Sequence, residues 1–202
     1  FLFLGFNSGP LMRMADGHVV PQDITWLKDE LKKAEKEKPV FLVTHYPLLK
    51  GDVDNWYDVT DAVRPFNIRA FMGGHYHKNQ FFSYDGIPGI INRSNLRGKD
   101  PVGGYSVYEI TPDSVFVYEQ KIGEQPKKWC ALSLTKPYYN AKGATDKYPD
   151  FSVNKEYPQL KEKWLVQTGV GIYCSPAIEK EQVFVGDDMG ILTAYSLKKG
   201  KK

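Results

Sequence analysis

Apolar and polar positions divide the chain into three textures, and the first alternates short apolar runs with one amphipathic stretch. Residues 1–6, Phe-Leu-Phe-Leu-Gly-Phe, read as a buried strand met in its middle, so the chain is expected to be a fragment that opens inside a sheet. After the polar loop Asn7-Ser8-Gly9-Pro10 and the turn dipeptide Asp16-Gly17, residues 22–36 place Ile24, Leu27, Leu31 and Ala34 at intervals of three and four. That spacing predicts a helix laid on a core, and Pro39 prevents its continuation. Val40-Phe41-Leu42-Val43 is the unbroken apolar run of a strand buried on both faces, and it passes directly into Thr44-His45-Tyr46-Pro47. A loop through Trp56, a short helix at 60–64 and an apolar strand at 68–72 follow, the strand ending at Gly73-Gly74-His75-Tyr76-His77. Strands interleaved with helices predict an α/β fold with crossover connections and a covered sheet.

The second texture is short and alternating, with strands predicted at 80–84, 89–92, 105–110 and 115–120 and turn signals at Asp85-Gly86, Gly103-Gly104 and Pro112-Asp113. An antiparallel sheet closing the first domain, residues 1–122, accounts for it. Residues 123–163 lack periodicity and read as a linker or extension with one strand at 130–134. The third texture, residues 164–202, has strand-like pieces at 173–178, 183–186 and 191–197 and a tight loop at 186–190, close to one antiparallel propeller blade. A lone blade cannot bury its own faces, so an incomplete domain is expected.

Composition narrows the class without deciding it. With 42% apolar and 25% charged residues and no apolar run long enough to cross a bilayer, a membrane-embedded reading is dropped. The net charge of +3 is spread along the chain apart from the lysines at 198, 199, 201 and 202, so no nucleic-acid stripe is expected. Cys130 and Cys174 are far apart without metal-ligand spacing; they permit one disulfide without demanding it.

The chemistry lies in three imidazoles. His45, His75 and His77 each follow directly on a predicted buried strand, at the sheet edge where open α/β proteins gather their sites. Neutral imidazole is a common ligand of borderline metals, and an H-x-H pair on a glycine turn sends two rings to neighbouring positions. That geometry suits two ions about 3.5 to 4 Å apart, which lower the pKa of a bound water from about 15.7 to about 7. His18 follows a turn without a strand and is expected to be an exposed loop residue. Tyr46 and Tyr76 flank the histidines, where they either bind substrate or pack; Asn7, Asn95 and the pair Trp56-Tyr57 lie in loops that either border a site or make turns.

Thr44-His45-Tyr46-Pro47 and Gly74-His75-Tyr76-His77 resemble two signature blocks of the calcineurin-like metallophosphoesterases, a resemblance running from residue 1 to about 121. It implies the C-terminal half of that family's αββα sandwich and a phosphoester substrate. It also implies a dinuclear centre of Mn, Fe or Zn, with His45 and His75 on one ion and His77 on the other. The family's D-x-H block, bridging aspartate and G-N-H block do not occur in this chain, so the chain alone is expected neither to hold two metals nor to turn over substrate. Residues 175–200 resemble a PQQ-like propeller repeat, with Ser196 where the repeat commonly carries aspartate. That implies a protein-binding or scaffold module without quinone, and relatives of this kind are periplasmic or surface proteins. Two other readings stay open: a noncatalytic binding protein with a degenerate phosphoesterase domain, and a single structural zinc.

Overall fold

The computed structural model describes residues 1–10, 16–95, 101–135, 148, 150, 152–187 and 189–202. Parts of the expected linker, and Asp188 of the tight loop, lie outside the described residues. The chain forms two compact units, one reaching Tyr148 and the other running from Pro149 to Lys202.

The first unit is built on a five-stranded mixed sheet. Its elements are β1 (Leu2–Gly5), α1 (Pro21–Lys33), β2 (Val40–Val43), α2 (Trp56–Val63), β3 (Ile68–Gly73), β4 (Gln80–Tyr84) and β5 (Ile87–Ile91). The sheet order is β1-β2-β3-β5-β4, parallel from β1 through β5 and antiparallel at β4. β6 (Gly104–Ile110), β7 (Ser114–Lys121) and β8 (Lys127–Ser133) form a separate antiparallel sheet.

Alternation along the parallel strands sorts the core into two layers. Val40 and Leu42 of β2 join Leu27 and Leu31 of α1 and Val59 and Val63 of α2 in one cluster. Phe41, pointing the other way, joins Ala70, Met72 and Ile90 against Val115, Val117 and Leu132 of the second sheet. The mixed sheet is thus covered by helices on one face and by strands on the other. The α/β expectation holds at this level.

Several boundaries differ from the sequence reading, each for a local reason. α1 begins at Pro21, whose fixed φ suits the first helical position, and stops at Lys33 with Ala34 in extended conformation. α2 begins at Trp56 rather than residue 60. The side chain of Asn55 does not cap it; it pairs with both backbone groups of Val19, at 3.0 and 2.8 Å. β8 sits within the stretch expected as a linker, residues 123–163, yet it pairs with β7 and belongs to the first unit's sheet.

β5 carries Pro88 and Gly89 in its middle and is buried throughout. A Cβ at Gly89 would stand 2.3 Å from the ring of Tyr84, itself fully buried on the paired strand. Gly89→Ala is therefore expected to lower the stability of this unit by about 1–3 kcal/mol through overpacking. The shift in its urea transition midpoint measures this, and an unchanged midpoint would contradict it.

The second unit holds a three-stranded antiparallel sheet, order β11-β10-β9, made of β9 (Ala177–Glu179), β10 (Gln182–Gly186) and β11 (Leu192–Ser196). Asp187 Oδ1 accepts from the N–H groups of Met189 and Ile191 at 3.0 and 2.9 Å, which closes the β10–β11 turn. Trp164 packs on Tyr195 and donates its indole N–H to the Leu197 carbonyl at 3.0 Å. Cys130 and Cys174 are free thiols. No helix among the described residues is long and apolar enough to cross a membrane.

Candidate metal centre

Two neighbouring parallel strands deliver the histidines. His45 follows β2 after Thr44, and His75 follows β3 after Gly74. The ladder between these strands continues past their ends: Thr44 N–H donates to Met72 O and Gly74 N–H donates to His45 O, both at 3.0 Å. The imidazoles are consequently close, with ring centroids 5.5 Å apart and planes at 79°. A Cβ at Gly74 would meet His45 Nδ1 at 3.5 Å, an ordinary contact, so space alone does not demand glycine there.

The His45 segment is fixed from beneath by a residue the motif does not contain. Ser8, fully buried, accepts from the N–H groups of His45 and Tyr46 through Oγ at 3.2 and 2.9 Å. Thr44 Oγ1 donates to Tyr46 O at 2.9 Å. Tyr46 then lays its ring on that of His75, centroids 3.8 Å apart and 27° from parallel.

The second loop is held against its own preference. His75 and His77 both have positive φ, 69° and 59°. For residues with a Cβ this left-handed conformation costs roughly 1–2 kcal/mol each. Between them, Tyr76 donates its hydroxyl to Asp52 at 2.6 Å and meets Phe82 edge-on at 5.8 Å. Burial, the bond to Asp52 and that carboxylate's charge push the Tyr76 phenol up to about 12. Asn92 steadies the end of β3 by donating both its backbone N–H and Nδ2 to Gly73 O at 2.9 Å, while its Oδ1 accepts from Tyr108 at 2.7 Å.

His75 is held toward the neutral form: burial first, then the positive charges of His45 and His77, lower its pKa against a partial counter-pull from Asp52. A neutral nitrogen lone pair is what a cation needs. His77 is exposed, and its charge still reaches His75.

Other residues singled out by the sequence have different partners. His18 pairs with Asp54 at 2.7 Å in an exposed loop. Asn7 Oδ1 accepts from Gly9 N–H at 2.9 Å, making a turn, and the Asn95 carbonyl accepts from Gly104 N–H at 3.2 Å. Trp56 packs on the helix-side core, and Tyr57 meets Tyr148 edge-on at 5.3 Å. Sequence reasoning missed Ser8, Asp52 and Asn92. Of these, Ser8 alone carried a local signal: it is a small hydroxyl residue in the loop directly after a buried strand.

The donor set suits borderline first-row ions in kind but is short in number. Among the described residues, no three of His, Cys, Asp and Glu converge in an arrangement that holds an ion. Asp52, the carboxylate whose charge reaches His75, already accepts from Tyr76. The described residues by themselves do not fit a two-ion centre.

No protein-family model matches the sequence, and no curated protein does. Among solved structures the chain is similar to a dimetal phosphatase from Danio rerio, at 16% identity and a TM-score of 0.47, over 60% of this chain and 39% of that one. It is also similar to Vps29 from Entamoeba histolytica, both a single mutant and the wild type complexed with zinc, at 14% identity and a TM-score of 0.29. Those matches cover 66% of this chain and 99% and 98% of the Vps29 chains. The chain thus spans about two fifths of the length of the phosphatase it matches.

Proposed function

We propose that this chain is part of a metal-dependent phosphoester hydrolase and supplies one side of its dinuclear centre, through His45, His75 and His77, with carboxylate and further ligands coming from elsewhere. One observation carries the reading: adjacent parallel strands end in histidines whose rings lie 5.5 Å apart, on loops joined by a backbone hydrogen bond. Backbone ties fix the segment that bears His45, and the lowered pKa of His75 prepares that imidazole as a neutral donor before any ion arrives. Mn, Fe and Zn all suit such donors. Tyr46, stacked across His75, is placed by this reading along the substrate side of the imidazoles, while Tyr76 turns its hydroxyl to Asp52. The three-stranded second unit is read as a propeller blade for protein recognition, supported by the exposure of Ile178 and Leu192 on its strands.

Zinc binding tests this reading, followed by calorimetry on the chain with His45→Ala, His75→Ala and His77→Ala, beside p-nitrophenyl phosphate hydrolysis. The chain as it stands is expected to bind fewer than two ions and to show no turnover. The His45 and His75 substitutions are each expected to weaken the remaining zinc affinity at least tenfold. Zinc affinity indifferent to all three substitutions would remove the metal role. Two ions per chain with turnover would show that the ligand set is complete without further residues.

A further inference from the structure

We infer that Asp52 and Tyr76 form a latch that holds the His75-Tyr76-His77 turn in its left-handed conformation and so fixes the spacing between the His45 imidazole and the pair beyond it. Its significance for metal binding rests on reading those histidines as ligands; the latch itself rests on geometry alone.

Two non-glycine residues with positive φ on either side of one tyrosine form a turn that its own backbone does not favour. Something outside the turn has to hold it. Backbone bonds at its start run from Gly74 N–H to His45 O at 3.0 Å and from Tyr76 N–H to Gly74 O at 2.8 Å. Further along, the Tyr76 side chain anchors the turn. Its ring packs against Phe82 of β4 and its hydroxyl ends on the Asp52 carboxylate at 2.6 Å.

Asp52 is a fixed acceptor. Its N–H donates to Leu49 O at 3.0 Å, and its carbonyl accepts from Gly17 N–H at 2.6 Å. Asp54 N–H donates back to Gly17 O at 3.0 Å, so the strand-like strap at Gly17 grips the loop on both sides of Val53. The segment bearing Asp52 lies in the same connection, between β2 and α2, that carries His45. A bond from Tyr76 to Asp52 therefore joins the two histidine-bearing loops a second time, at a distance from the ladder that joins them first. Tyr76 and Asp52 are on this account positioning residues, acting through the histidines.

The test uses Tyr76→Phe, Asp52→Ala, their combination and Asp52→Asn, which keeps an acceptor. Amide hydrogen exchange in the metal-free chain is expected to rise at least tenfold across residues 74–78 in Tyr76→Phe and Asp52→Ala. The double variant is expected to add nothing, Asp52→Asn to show a smaller rise, and β7 to stay protected in all of them. The ring 15N shifts of His45 and His75 should move with the exchange, and zinc affinity should fall about tenfold. Wild-type exchange and ring shifts in Tyr76→Phe would overturn the latch, as would exchange rising equally in β7, which would mark a loss of general stability. Exchange rising as described while His45→Ala and His75→Ala leave zinc affinity unchanged would keep the latch and overturn the ligand reading.

Discussion

Asp85→Ala is expected to remove about 3–5 kcal/mol of folding stability from the first unit, because it takes away a carboxylate paired with a buried guanidinium. Arg64 and Asp85 pair with 6% and 5% of their side chains exposed. Arg64 also donates through the same nitrogen to the Asp85 carbonyl at 3.2 Å. The pair ties the C-terminal cap of α2 to the β4–β5 turn, where Asp85 and Gly86 have φ of 52° and 89°, the geometry of a tight hairpin with an Asp-Gly corner. Alanine would add left-handed strain to the lost charge, so Asp85→Asn separates the two effects: asparagine tolerates that φ and loses the charge alone.

Replacing both partners, with Arg64→Met and Asp85→Asn, is expected to recover a substantial part of the loss, since no charge is then left buried. The measurement is denaturant unfolding followed in the near ultraviolet, fitted for the first unit separately because two compact units need not unfold as one. A loss below about 1 kcal/mol for Asp85→Ala would mean that water reaches the guanidinium after the change. The pair lies away from the histidines, so zinc affinity in Asp85→Asn should stay at the level of the unaltered chain as long as the unit is folded.

The sequence displayed the framework because the framework is written in local patterns. Unbroken apolar runs at β2 and β3 mark strands covered on both sides, and the helical spacing of Leu27 and Leu31 marks the layer that covers them. A histidine placed directly after such a run has to emerge at the sheet's edge, which is why His45 and His75 could be set at neighbouring strand ends from residue order alone. The strand expected at 89–92 begins two residues earlier, at Ile87, so that Pro88 lies inside it, and the fully buried Tyr84 ring lies over Gly89.

What holds the site together was not legible, since its bonds span long separations. Ser8 reaches His45 and Tyr46 across 37 and 38 residues, and Tyr76 reaches Asp52 across 24. No periodicity encodes such pairs. Asn55 illustrates the converse, a residue that local rules assign to capping a helix and that tertiary structure uses to pair with Val19.

The strap at Gly17 is where these long bonds meet, and Gly17→Ala is expected to cost about 3–5 kcal/mol, with consequences for both histidine loops. A Cβ at Gly17 would stand 2.2 Å from Ser8 O and 3.0 Å from both Asp52 O and Val53 Cγ2. The nearest of these is a backbone atom and cannot rotate away. Overpacking of this kind costs about 1–3 kcal/mol, and the backbone bonds Gly17 N–H to Asp52 O and Asp54 N–H to Gly17 O, lost as the segments part, add about 1 kcal/mol each. The direction of yielding matters more than the sum. If the Ser8 segment moves, the N–H groups of His45 and Tyr46 lose the buried Oγ that accepts from them; if the Asp52 segment moves, Tyr76 loses its acceptor.

Either way one loop is released, and the two cases are distinguishable. Exchange rising at residues 45 and 46 marks the first, and exchange rising across 74–78 marks the second. Gly17→Ala with wild-type stability and wild-type exchange at both loops would show that the strap can shift without disturbing either, and that the histidine loops are held by the β2–β3 ladder alone. The expected outcome is a lowered denaturation midpoint together with exposure of one loop. That combination would tie the stability of the unit to the geometry of the three imidazoles through a residue that touches none of them.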